Sequence, residues 1–288
     1  MHSPRLLHLK RLCLLGAALF YGSASPVGAA LPGLDAPQPV GPYFNGVFPS
    51  SAPGDPSGWA VVNAFPNLTF TDPMMLAEIP GTANLLVVGK TGLIWRFPNN
   101  PAATMAQRVQ VLDLSALTET SEDQGVYSLS FHPKFGQAGQ PGENWVYVCY
   151  SRRAFPGVDD NDRTYWTVSR FTWLPGSGTI DPNSEFILMS QYDPHRYHNG
   201  GATFFGNDGF LYITVGDGGD GGDSLDNSQK INLGLFGGIL RIDVDNDPVK
   251  SHPIRRQPTE NPLWIMNPKP AGWPVSYSQG YGIPKDNP

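Results

Sequence analysis

From Val61 onward the chain is a succession of apolar runs of about five to eight residues, cut apart by glycine and proline turns, with no helical periodicity between them. The clearest runs are Leu85 to Val88, Leu93 to Phe97, Val126 to Phe131, Trp145 to Tyr150, Trp166 to Trp173, Ala202 to Phe205, Phe210 to Val215 and Ile239 to Val244. Parallel sheets need crossovers, usually helices, so this pattern disfavours α/β layering and predicts an all-β chain. The 33 Gly and 29 Pro supply the turns, while 7 Trp, 11 Tyr and 15 Phe supply a core that a disordered chain would lack. Lys90-Thr91-Gly92 before one run and Asn207-Asp208-Gly209 before another repeat a polar-polar-Gly entry into an aliphatic-aromatic strand. Successive blades of a β-propeller repeat in this way; a β-sandwich is the competing architecture.

Charge and termini narrow the function classes. The net charge is −6, and after the first eleven residues no cluster of Lys and Arg exceeds a pair, so the basic stripe of a nucleic-acid binder is absent. Arg5, Lys10 and Arg11 precede an apolar segment from Leu12 to Phe20 and then small residues through Ala29 and Ala30. This is the layout of a secretory signal, and its apolar segment is too short to span a bilayer. The expected organisation is a signal peptide over 1–30, a Pro/Gly/Ser-rich linker over 31–60 and a folded portion over 61–288, in a secreted or periplasmic protein whose mature chain has no membrane span. Cys13 leaves with the signal, and Cys149, alone in an apolar strand, reads as a small buried hydrophobe. The proline-rich stretch from Asn246 to Pro288, with Trp264 and Trp273, reads as a long surface insertion.

The segment His198 to Asp217 has the pattern of a β-hairpin, with Asn207, Asp208 and Gly209 expected to supply the positive φ angles of a short loop. A hairpin returns the chain to its starting edge, which brings His198 beside Asp217. A carboxylate there would fix the imidazole tautomer and stabilise its protonated form, as a general base requires; a surface histidine flanking a glycine turn is the plainer alternative. Gly216 to Gly221 matches GxGxxG, but Asp217, Asp220 and Asp223 would repel a pyrophosphate. Gly218 to Asp226 matches one calcium-binding β-roll nonapeptide, and such sites need a neighbouring copy. Asp217, Asp220, Asp223 and Asp226 could still gather a calcium ion, with a solvated loop as the alternative. His132, between Phe131 and Pro133, reads as a structural turn, and Gln124 as a neutral donor and acceptor suited to a carbonyl-bearing ligand.

Taken in order, EDQGVYSLSFHPKF, NWVYVCYS, HNGGATFFGNDGFLYITVGDGG, GGILRIDVD and GYGIPKDNP resemble the soluble quinoprotein glucose/sorbosone dehydrogenase family over about residues 65 to 245 and again from 281. The resemblance implies a secreted six-bladed β-propeller that holds pyrroloquinoline quinone (PQQ) and calcium, oxidises an aldose, and passes electrons to an external acceptor such as a cytochrome. It implies His198 as the base at the sugar's anomeric hydroxyl, Asp217 as the acid that orients it, and Gln124 as a quinone contact. Some members carry aspartate where this chain has Tyr197. The family's arginine-asparagine pair, calcium ligands and carboxylate-neutralising cations lie beyond the position matching Pro288. The expectation is therefore an incomplete propeller holding its N-terminal blades and the base-bearing half of the site. A noncatalytic secreted propeller that binds a protein or glycan is the alternative, and a calcium-dependent adhesion module around Asp217 to Asp226 a third.

Overall fold

Strict alternation along a strand buried on both faces gives a continuous apolar run, and Trp145 to Tyr150 is one. In the computed structural model, which describes residues 61–153, 164–193, 195–219, 221–224, 226–228, 234–253 and 280–287, Val146, Val148 and Tyr150 enter one core cluster. Tyr147 and Cys149 enter another, on the opposite face. Residues 1–60, Trp264, Trp273 and Asp220 lie outside the described residues. Every described strand belongs to the unit Val62–Pro288.

The strands form antiparallel meanders in chain order. The first sheet runs β1 (Pro73–Glu78), β2 (Asn84–Gly89), β3 (Leu93–Pro98) and β4 (Val109–Asp113). The second runs β5 (Val126–Phe131), β6 (Trp145–Arg153), β7 (Thr164–Leu174) and β8 (Thr179–Asp193). The third runs β9 (Thr203–Phe205), β10 (Leu211–Val215) and β11 (Gly238–Ile242). Ile79, Leu86, Val88 and Ile94 pack against Leu129, Val146 and Phe171 to join the first two sheets. Tyr147, Trp166 and Val168 pack against Leu211, Ile213 and Phe236 to join the second and third. Consecutive meanders stacked face to face are the blades of a β-propeller, which bears out the all-β propeller expectation in its class. Among the described residues, no helix is long and apolar enough to cross a membrane.

Within these three sheets, three strands are not marked by an apolar run. β1 and β4 flank the first sheet, and β1 leaves Met74 and Leu76 exposed, so their sequences mix polar and apolar positions. β8 is an edge strand whose register shifts against β7 near Pro182, a residue that a central strand would not accommodate. At the 206–209 turn, Gly209 N–H donates to Gly206 O at 2.9 Å and Gly206 N–H donates to Phe210 O at 3.0 Å. Positive φ at Asn207 and Asp208 is not found; Gly209 alone adopts it, at +85°, because a turn closed this way needs only its last residue left-handed to restore the strand twist. The stretch read as an insertion after Asn246 is closed at its base by β12 (Ser251–Pro253) paired with β13 (Gly282–Pro284), beside which Tyr281 enters the second core.

Candidate active site

β9 and β10 pair from Thr203↔Ile213 to Phe205↔Leu211, so the residues before β9 and after β10 emerge at one edge. There His198 Nδ1 lies 3.0 Å from Asp217 Oδ1. An ionised carboxylate only accepts, so this contact assigns a proton to Nδ1, and the neutral ring then carries its lone pair on Nε2. Asp217 Oδ1 also receives the Gly219 N–H at 3.0 Å, which fixes the carboxylate from its own loop. Gly216 N–H donates to Asn199 O at 2.8 Å. A Cβ on Gly216 would fall 1.8 Å from His198 O, so only glycine lets the two loops approach this closely.

His198 itself has φ of +58°, an uncommon conformation for a residue with a side chain, and such backbones concentrate at functional sites. The turn is held from a second element: Asp123 Oδ2 accepts the His198 N–H at 2.8 Å, and Asp123 N–H donates to Arg196 O at 3.0 Å. The His198 side chain is 50% exposed and Asp217's is 22% exposed, so the pair meets solvent rather than the core. Both line a cleft of about 690 Å³ with Lys90, Glu122, Asp123, Tyr127 and Asn199.

The remaining sequence candidates are distributed differently. Gln124 is fully buried and is not among the cleft-lining residues; its Nε2 donates to Thr164 Oγ1 at 2.8 Å. Asp223 Oδ1 accepts the N–H of Asn227 at 2.9 Å, and Asn227 Nδ2 donates to Asp217 O at 2.8 Å, so Asp223 stitches the glycine loop that carries Asp217. Asp226 is exposed with φ of +59°, and Asp220 lies outside the described residues. Among the described residues, no group of three or more His, Cys, Asp or Glu side chains is arranged to hold a metal.

Lys90, Asp123 and Asn199 are cleft residues that sequence reasoning did not single out for that role. Lys90 leads the turn before β3, where it reads as turn chemistry, yet its ammonium donates to Glu122 O across the cleft edge. Asn199 directly follows the histidine and Asp123 directly precedes Gln124; adjacency to the named candidates is the one signal the sequence offered.

A model of the glucose/sorbosone dehydrogenase family matches residues 70–266. Hedgehog-interacting protein of Mus musculus is 32% identical over 143 residues, covering 47% of this chain and 19% of its own length. HIPL1 protein of Arabidopsis thaliana is 28% identical over 190 residues, covering 57% of this chain and 24% of its own. HIPL2 protein of the same plant is 25% identical over 244 residues, at 74% and 32%. The chain thus spans about a fifth to a third of the length of these curated relatives. A solved structure titled glucose dehydrogenase aligns with a TM-score of 0.47 at 14% identity, covering 74% of this chain and 56% of that one. On the extent of the family match, the chain belongs to the glucose/sorbosone dehydrogenase family.

Proposed function

We propose that this chain carries the proton-abstracting part of an aldose-oxidising site, with His198 as general base and Asp217 as the group that orients it. The observation that carries the reading is the 3.0 Å contact between His198 Nδ1 and Asp217 Oδ1 at the edge of the cleft. It leaves Nε2 with no bonded partner among the described residues and able to take the proton of a sugar hydroxyl. Asp217 then stabilises the imidazolium that forms, a contribution typical of positioned acid–base pairs. The exported setting read from residues 1–30 is part of the same proposal.

Oxidation of an anomeric hydroxyl removes a proton from oxygen and a hydride from carbon, and the described residues account for the proton. In members of the family the hydride acceptor is PQQ, which carries three carboxylates. Among the cleft-lining residues Lys90 is the one cation, set against Glu122, Asp123 and Asp217. Three carboxylates against one ammonium in the lining oppose the binding of a further anion, so the described residues do not fit a tricarboxylate, and residues beyond them would have to neutralise it. The described carboxylates form no calcium cluster either.

That charge balance favours a second reading, a noncatalytic propeller that binds a protein or glycan; relatives named Hedgehog-interacting protein make it concrete. A titration with PQQ and calcium, followed by absorbance and then by dye reduction on adding glucose, separates the two. The dehydrogenase reading expects saturable quinone binding and glucose-dependent dye reduction that His198→Asn abolishes. Absence of both quinone binding and turnover would overturn it in favour of the binding module.

A further inference from the structure

β8 ends at Asp193, paired across the sheet with Thr164, the first residue of β7, and the chain then leaves the sheet toward His198. The Asp193 side chain is wholly buried, and among the described residues it makes no salt bridge. Its Oδ2 accepts one hydrogen of Asn199 Nδ2 at 2.6 Å, and Asn199 Nδ2 also donates to His195 O at 2.8 Å. Both amide hydrogens of Asn199 are therefore committed, and the orientation of that side chain is fixed. The Asn199 side chain is held by its donor end alone, since its buried Oδ1 has no hydrogen-bond partner among the described residues.

These bonds tie Asp193 and His195 to Asn199 and pin the residue that follows His198. The Asn199 backbone carbonyl continues the path by accepting the Gly216 N–H, one residue from Asp217. Asp193 is braced from behind as well. Gln124 Nε2 donates to Thr164 Oγ1 at 2.8 Å, and Thr164 Oγ1 donates to Asp193 O at 3.3 Å. Gln124 directly follows Asp123, whose carboxylate accepts the His198 N–H. Burial pushes the Asp193 carboxyl up to about 7, against the lowering effect of its bonds from Asn199 and His195, and the nearby charge of Asp217 raises it further. A carboxyl this far from water is costly to bury unless hydrogen bonds satisfy it, and Asn199 and His195 supply them here.

We infer that Asp193 is a positioning residue for the proposed base: through Asn199 it locks the left-handed turn that sets His198 Nδ1 against Asp217 and leaves Nε2 unbonded at the cleft. The inference rests on the reading of His198 as a base, and it assigns Gln124 a place in the bracing of that base. Three carboxylates from three segments then act on one histidine: Asp217 on Nδ1, Asp123 on the backbone N–H, and Asp193 through the neighbouring amide.

The test is long-range ¹H–¹⁵N correlation NMR on the full chain labelled with ¹⁵N-histidine, with the His198 signals assigned by their loss in His198→Asn. Where the ring is neutral, the wild-type His198 should carry its proton on Nδ1. Asp193→Ala and Asn199→Ala should both move it to the mixture of tautomers of an unrestrained imidazole, and Asp193→Asn, which keeps an acceptor oxygen, should restore the wild-type pattern. If Asp193→Ala does not fold, Asn199→Ala decides, since it removes only the linking amide. A merely structural role would lower the melting temperature and leave the tautomer of the folded molecules unchanged, and that result overturns the inference.

Turnover is read separately. A positioning role predicts a fall in kcat of roughly ten- to a hundredfold for Asn199→Ala with KM little changed. A wild type that oxidises no aldose, but whose His198 tautomer depends on Asp193, would sink the dehydrogenase reading and leave the positioning role standing. An active wild type whose tautomer ignores Asp193 would do the reverse.

Discussion

His132 and His198 each sit beside an aspartate, and the two environments hold them by opposite ring nitrogens. His132 follows β5, is 2% exposed and lies among Trp145, Tyr147 and Phe205. Its Nδ1 accepts the Lys134 N–H at 3.1 Å, so its proton is on Nε2, which donates to Asp245 Oδ1 at 3.2 Å. That bond holds the Asp245 carboxyl below the usual carboxylate range. Both nitrogens of His132 are spent inside the fold. His198 spends Nδ1 on Asp217 and keeps Nε2 at a cleft. A carboxylate partner alone therefore does not equip a histidine for the proposed base role; that role also needs an accessible second nitrogen.

The contrast breaks most visibly in turnover. His198→Asn, chosen because asparagine tolerates left-handed backbone, should cut glucose-dependent dye reduction by roughly 10²- to 10⁴-fold, while the urea midpoint stays close to that of the wild type. The same assay on a variant with wild-type rates would dissolve the distinction. His132→Ala should behave in the opposite sense. It empties an aromatic-lined site and strands the Lys134 amide, for about 3 kcal/mol of lost stability in urea unfolding, with no selective loss of kcat.

Asp193 sharpens the comparison through pH. Its folded value of about 7 lies above the ordinary 3.8, so between those values the folded chain holds a proton that the unfolded chain has released. The stability it contributes is complete below the unfolded value and is lost as pH rises toward about 7. Urea midpoints measured from pH 4 to 8 should fall across this window for the wild type and fall less for Asp193→Asn; equal slopes would remove the buried carboxyl from the account. The smallest effect belongs to Asp245→Asn. Asp245 is partly exposed, so losing its ionised contact with His132 should cost under about 1 kcal/mol. With its carboxyl held low, that contribution is present above the unfolded value and disappears as pH falls through the folded one.

Much of this arrangement is legible in the sequence where a single strand pair decides it. The runs at Trp145 and Phe210 mark strands because their alternation is buried, and closure of the 202–215 hairpin is enough to bring His198 to Asp217. The edge strands β1, β4 and β8 escape because half-exposed positions dilute the pattern. The long-range partners escape for a different reason. Asp123, Lys90 and Asp193 reach the site from other sheets and loops, and beyond the adjacency of Asp123 to Gln124 nothing in their local sequence records that approach. Gln124 has a long-range partner of the same kind: its amide donates to Thr164 at the start of β7, a bond that its local sequence does not record.

The difference between the two histidines can be measured by treating the folded chain with diethylpyrocarbonate, which acylates an unprotonated, accessible imidazole nitrogen, and following each histidine-containing peptide by mass spectrometry over time. The account predicts rapid modification of His198, with any aldose-oxidising activity falling in step, and no modification of His132 until the chain unfolds. An unreactive His198, or a His132 modified at the same rate, would contradict it.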